Sequence, residues 1–192
     1  MQKETDIFPL SKIRKVKGSR RLAREKVMQI LMADELGEAD VSAVFGHVFF
    51  RKFNFGDKEQ KQHKLLTPDE ITEIESDVPI EWNDEEIEFG RLLIAKVIEY
   101  KTDIQALISK FANNWDLDRI AIIDRLLMQI ALTELLHFPE IPTKVSINEA
   151  IDIAKKYSTG RSSTFINGVL DSALDYLKTE GMIQKTGRGL QE

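Results

Sequence analysis

Arg20, Arg21 and Arg24 follow directly on Ser19, and residue types in that order can bind an anion. A serine hydroxyl at a helix N-cap accepts from a backbone N–H of the first turn, so Ser19 predicts a helix that opens with arginines. At about 100° per residue the three side chains fall within one arc, beside backbone N–H groups that have no partner in the helix. Such an arrangement suits a phosphate. Aligned peptide dipoles already make a helix start positive, so each added cation costs about 0.3–1 kcal/mol there. Local helix stability therefore does not account for these arginines, whereas recognition of a nucleic-acid backbone does. The alternative reading of the same charges is a solvated basic face.

The surroundings of this turn are unusual for the chain. Lys12, Arg14, Lys15, Lys17, Arg20, Arg21, Arg24 and Lys26 stand against one acid, Glu25, between residues 12 and 26, although the 192-residue chain has a net charge of −5. From Thr67 to Gly90 the balance reverses, with ten acids and no Lys or Arg. A basic start and an acidic middle orient a polyanion toward one face and away from another. Many of those acids also suit helix starts for their own stability.

Composition narrows the classes of function. With 42% hydrophobic and 31% charged residues, the chain is long enough for one core that buries roughly two-thirds of its unfolded surface. The absence of cysteine excludes disulfides, thiolate metal clusters and thiol nucleophiles, and fits a reducing cytoplasm. No apolar run has signal-peptide or membrane-spanning length, so the expectation is a cytoplasmic protein. His47, His63 and His137 lack metal-ligand spacing, and no glycine-rich loop follows a strand. No cofactor, metal or catalytic residue is expected, and the reading is of a protein that is not an enzyme.

The elements that must position the arginines read as helices throughout. Residues 1–18 form a basic arm closed by Gly18-Ser19. The first helix runs to about Leu36, with Ala23, Val27, Ile30 and Leu31 on one face and Gly37 as its stop. Asp40 caps a second helix with Val41, Val44, Phe45, Val48 and Phe49 as its apolar stripe. Phe50, Phe53 and Phe55 beside Arg51 and Lys52 fit either core or base stacking. Thr67-Pro68-Asp69-Glu70 starts a short helix, and Asn83 to Glu86 opens a longer one. Thr102 renews it as far as Phe111. Asp116 to Leu136 is the most apolar helix and is expected at the centre of the packing. Helices over Ser146–Tyr157 and Thr164–Thr179 follow, and Met182 to Glu192 reads as a tail with little to bury. No strand pattern or internal repeat is present, so the fold class is all-α.

The stretch IPTKVSINEAIDIAKKYSTGRSSTFINGVLDSAL, Ile141 to Leu174, resembles the C-terminal signature of the NusB family of bacterial transcription antitermination factors. The resemblance lies notably at Pro142, Lys144, Val145, Ile147, Asn148, Glu149, Ala150, Ala154, Lys155, Phe165, Asn167, Gly168, Val169, Leu170 and Asp171. RRLAREKVMQIL is similar to the family's Arg-rich opening helix, and RIAIIDRLLMQIALTELL to its central helix. The resemblance implies a NusB-like fold of two small three-helix lobes packed together behind an extended N-terminal arm. On this chain the lobes are expected at about 19–111 and 116–181 of one domain, 19–181, with 1–18 as the arm and 182–192 as the tail.

In function the resemblance implies an RNA-binding protein that takes the single-stranded boxA element of nascent ribosomal RNA. It does so together with NusE, a ribosomal small-subunit protein, and promotes read-through by RNA polymerase within the antitermination complex. Carried over by position, Arg20, Arg21 and Arg24, helped by Lys17, are the RNA contacts. Phe165 matches an aromatic near the RNA side and fits a core position equally well. Lys144 and Asn148 match signature positions. The NusE surface is expected on the helices of 92–111 and 146–165. Three departures stand out: Met32 replaces a late aromatic of the first helix, the arm has 18 residues, and Val41 to Pro79 is longer than in compact members. The rival reading is a non-catalytic scaffold or homodimer whose basic turn meets an acidic surface, such as Thr67–Gly90 of a second copy.

Overall fold

The computed structural model describes residues 16–37, 40–50, 80–112 and 115–191. These hold seven α-helices: α1 Arg20–Glu35, α2 Val41–Phe50, α3 Asp84–Glu99, α4 Lys101–Phe111, α5 Ile122–His137, α6 Thr143–Tyr157 and α7 Ser162–Thr179. The expected helix after Thr67, together with Phe53 and Phe55 and most of the arm, lies outside the described residues.

Sequence dictates the centre of this arrangement. A helix apolar on every side must be surrounded, and in α5 every residue from Leu126 to Leu135 is buried. It packs against α1, α3, α4, α6 and α7. The C-terminal half of α1 joins the same core through Val27, Met28, Ile30 and Leu31, and Gly37 ends it at φ +70°, a conformation that suits glycine. α4 packs chiefly on α5 and α7 and only slightly on α3. It thus belongs by packing with the C-terminal helices, although the sequence reading grouped it with the N-terminal lobe.

Side-chain caps account for three of the seven described helix starts. Asp40 accepts from Ala43 N at 3.1 Å. Asn83 and Glu86 form a reciprocal capping box, Glu86 N donating to Asn83 Oδ1 at 2.8 Å and Asn83 N to Glu86 Oε2 at 3.1 Å. The run from Asp116 differs from its reading as one long helix. Leu117–Arg119 make a 3-10 turn and α5 starts only at Ile122, because Asp116, Ile120 and Ala121 are extended. That turn sends Ile120 into the core, and Arg125 Nη1 holds it by donating to Leu117 O at 3.2 Å.

Two further expectations change. Val16–Lys17 pairs in parallel with Ile80–Glu81, Val16 opposite Ile80 and Lys17 opposite Glu81; these strands (β1 and β2) are two residues each, too short for any alternation to show. Residues 182–191 are not a free tail, since they supply donors to the carbonyl groups at the end of α5. Lys185 Nζ donates to Glu134 O at 3.1 Å and to Phe138 O at 3.0 Å, and Thr186 N to Pro139 O at 2.9 Å. Gly189 completes the contact: a Cβ there would lie 1.9 Å from Pro139 O. Among the described residues no helix is long and apolar enough to cross a membrane.

Candidate nucleic-acid interface

The first turn of α1 is built from three directions. Ser19 caps it, accepting from Leu22 N at 3.2 Å. Gly18 brings the preceding chain against β2, donating from its N to Glu81 O at 2.8 Å. Only glycine fits, because a Cβ at position 18 would lie 2.3 Å from Glu86 Oε2 and 2.7 Å from the Trp82 ring. Exposed Lys17 is thereby fixed just before the helix, with exposed Arg20 and Arg21 on the opening turn.

No acid lies in that turn, yet the cations are not unopposed, because α5 and α6 supply carboxylates from across the fold. Arg24 is buried and makes a two-pronged pair with fully buried Glu134, Nε to Oε1 at 2.6 Å and Nη2 to Oε2 at 3.0 Å. Ser146 Oγ donates to the same Oε2 at 2.8 Å. Arg21 is 57% exposed and donates from Nε to Glu149 at 3.0 Å and from Nη2 to Asp152 at 2.7 Å. One turn further on, Glu25 accepts from Lys156 Nζ at 2.9 Å and from the Tyr157 hydroxyl. Phe89 of α3 takes two cations on its ring, Arg20 at 5.3 Å and Arg24 at 5.1 Å, which stabilises both guanidinium groups by attraction to the ring quadrupole.

Protonation follows from these contacts. Hydrogen bonding and charge attraction from Glu149 push the Arg21 guanidinium up, with Asp152 adding to it. The Lys155 ammonium, and after it Arg21, hold the Asp152 carboxyl below its usual range. Lys156 is raised by hydrogen bonds with Tyr157 and Glu25. Tyr157 is raised by burial and then by Glu25. The exposed side chains of Lys17, Arg20, Arg21, Lys155 and Lys156 thus lie above the buried Arg24–Glu134 pair.

The structure brings Lys17, Arg20, Arg21 and Arg24 together but separates them by depth: Arg24 lies beneath the surface as the strut on which the turn rests. Phe165 stands elsewhere, half-buried in the first turn of α7, an element that packs on α4, α5 and α6. Its ring faces Trp115 at 5.9 Å between centroids, and Trp115 is 51% exposed. Lys144 and Asn148 are exposed on α6. Sequence reasoning missed Glu134, Glu149, Asp152 and Lys156. An acid within the apolar run of the most apolar helix signals a buried partner, so Glu134 was discoverable. Glu149, Asp152 and Lys156 share one helical face by spacing, but nothing local pointed that face at α1.

Residues 57–175 match the model of the NusB family. The chain belongs to the NusB family. It is 41% identical to the transcription antitermination protein NusB of Salinibacter ruber (strain DSM 13855 / M31), over 90% of this chain and 91% of that one. Among solved structures, NusB of T. maritima superposes with a TM-score of 0.60 at 28% identity, covering 83% of this chain and 93% of that one. A crystal structure of the antitermination factors NusB and NusE in complex with dsRNA gives 0.58 at 18% identity, over 82% of this chain and 96% of that one, and shares the fold. The family assignment agrees with the all-α architecture around one central helix. Among the described residues no group of His, Cys, Asp or Glu is placed to hold a metal.

Proposed function

We propose that this protein is a non-catalytic RNA-binding antitermination factor of the cytoplasm. It takes boxA-like single-stranded RNA of nascent ribosomal transcripts jointly with NusE and promotes read-through by RNA polymerase. The observation that carries the reading is the cluster of exposed cations at the start of α1, held at fixed positions by Gly18, Ser19 and the buried Arg24–Glu134 pair. A single strand's phosphates are the ligand that a rigid cationic turn with free backbone N–H groups fits.

In this reading Lys17, Arg20 and Arg21 contact phosphates, and Arg24 positions them from below. Phe165, with Trp115 beside it, offers ring surface to an unpaired base. Because each neutralised phosphate releases counterions, affinity falls steeply with salt. Membership of the NusB family and the fold shared with a complex of NusB and NusE with dsRNA support RNA as the ligand class and NusE as the partner. The lobes are proposed as 19–100 and 101–181, following the packing of α4.

The test compares a boxA-like strand with a scrambled one, with and without NusE, for the native chain and for Arg20→Ala/Arg21→Ala. Arg24 is left intact because its loss would perturb the fold. Sequence-selective binding that the double substitution abolishes, with helical circular dichroism unchanged, is the expected result. Absence of RNA binding under every condition, accompanied by salt-sensitive self-association, would instead favour a homodimeric scaffold.

A further inference from the structure

Arg21 donates to two acids and yet remains reachable on the proposed RNA face. Its Nε donates to both oxygens of Glu149, at 3.2 and 3.0 Å, and its Nη2 to Asp152 Oδ2 at 2.7 Å. Nε and Nη2 form one edge of the guanidinium fork, an edge that a phosphodiester would occupy in a two-pronged contact. We propose that Glu149 and Asp152 occupy the phosphate position on Arg21 and thereby set the affinity of this face for single-stranded RNA. The proposal rests on the RNA-binding reading above and adds to it two acids that compete with the ligand.

Geometry makes the exchange possible. The Arg21 side chain is 57% exposed, so a phosphate can reach it without opening the fold. Neither acid is stranded when Arg21 turns away. Glu149 Oε2 stays 3.9 Å from Arg24 Nη1, and Asp152 Oδ1 accepts from Lys155 Nζ at 3.2 Å. Each carboxylate thus keeps a second cation, and the displacement leaves no uncompensated charge. The Arg24–Glu134 pair lacks this option, being buried on both sides.

Charge arithmetic points the same way. Arg21 and Lys155 bring two positive charges to this corner, Glu149 and Asp152 two negative ones, so the corner as it stands offers a polyanion no net attraction. Removing the acids leaves the two cations.

The experiment is binding of a labelled boxA-like RNA to the full chain with NusE, for Glu149→Gln, Asp152→Asn and the double variant, each with Arg21 intact and with Arg21→Ala. Glutamine and asparagine keep the shapes and remove the charges. Each single variant is expected to tighten binding about two- to fivefold, the range in which an exposed ion pair competes, and the gain is expected to vanish with Arg21→Ala. Unchanged or weaker binding with Arg21 intact overturns the proposal, since the acids then brace Arg21 for its ligand. A gain that survives Arg21→Ala also overturns it, the effect then being one of general field. If the double variant does not fold, Asp152→Asn alone carries the decision, its side chain being 41% exposed. Loss of all RNA binding in the native chain removes the underlying reading as well, an outcome distinct from RNA binding that is sensitive to Arg21 and indifferent to the acids.

Discussion

Arg24 and Arg21 lie three residues apart on α1, each held by carboxylates from elsewhere in the fold, and they do opposite work. Around Arg24 the pair is closed: both partners are buried, Ser146 fills a remaining acceptor site, and no solvent or ligand has access. Around Arg21 the pair is open, with shared acids and a half-exposed guanidinium. The same ion-pair chemistry therefore serves as a strut at one depth and as an exchangeable contact at the next, and burial alone decides which.

The sharpest way to break that contrast is to remove one partner of the strut. Arg24→Ala leaves Glu134 as a buried unpaired charge, expected to cost about 3–5 kcal/mol. In a chain of this size that lowers the midpoint of thermal unfolding by roughly 6–20 °C. Replacing both together, as Arg24→Met/Glu134→Leu, is expected to cost markedly less, since no lone charge remains. Equal losses for the single and double variants would show that packing around the pair, not its charge, matters.

Next in size is Gly18→Ala. The new methyl group must displace both Glu86 and Trp82, and overpacking of this kind costs about 1–3 kcal/mol. It is expected to shift Lys17 away from the turn and to weaken RNA binding while Arg21 is untouched, which equilibrium unfolding and RNA titration of one preparation would check. Arg21→Ala, on the open side, is expected to change stability by less than about 1 kcal/mol yet to lower RNA affinity. If thermal unfolding shows Arg21→Ala to be as costly as Arg24→Ala, the distinction between strut and contact is lost.

The smallest expected effect is a pH dependence at the third pair. Lys156 and Tyr157 have folded values raised above their ordinary 10.5 and 10.0. Stability from a raised value is fully present below the unfolded value and is lost as pH rises through the folded one. Urea unfolding is therefore expected to show stability falling above these values, and less steeply in Glu25→Gln, which removes the common partner of both groups. Identical alkaline slopes for the two proteins would contradict this.

The helices were legible in the sequence because their signals are local. Asn83-Asp84-Glu85-Glu86 forms the capping box its spelling implies, and the apolar run of α5 is surrounded as its composition demands. Asp116 to Ala121 misled, since apolar spacing continues through a 3-10 turn that only the placement of Ile120 explains. At the site, Ser19 and the exposure of Arg20 and Arg21 followed from cap and charge. The burial of Arg24 did not, because its partner Glu134 lies 110 residues away. The cost of cations at this helix start is offset from a distance, since the acids missing from α1 itself come from α5 and α6. Residues 182–191 were misread for the same reason, as Lys185 finds its carbonyl partners 47 and 51 residues back.

Those separations bear on how the chain is made. The contacts that seat α1 on α6 join residues 128 to 132 positions apart, so α1 is secured only after the much later α6 has been made. Until Glu134, Glu149 and Asp152 have been made, the arginines of α1 have neither strut nor competing acids. On the RNA-binding reading, the cationic turn reaches its final geometry only once the C-terminal helices have folded against α1.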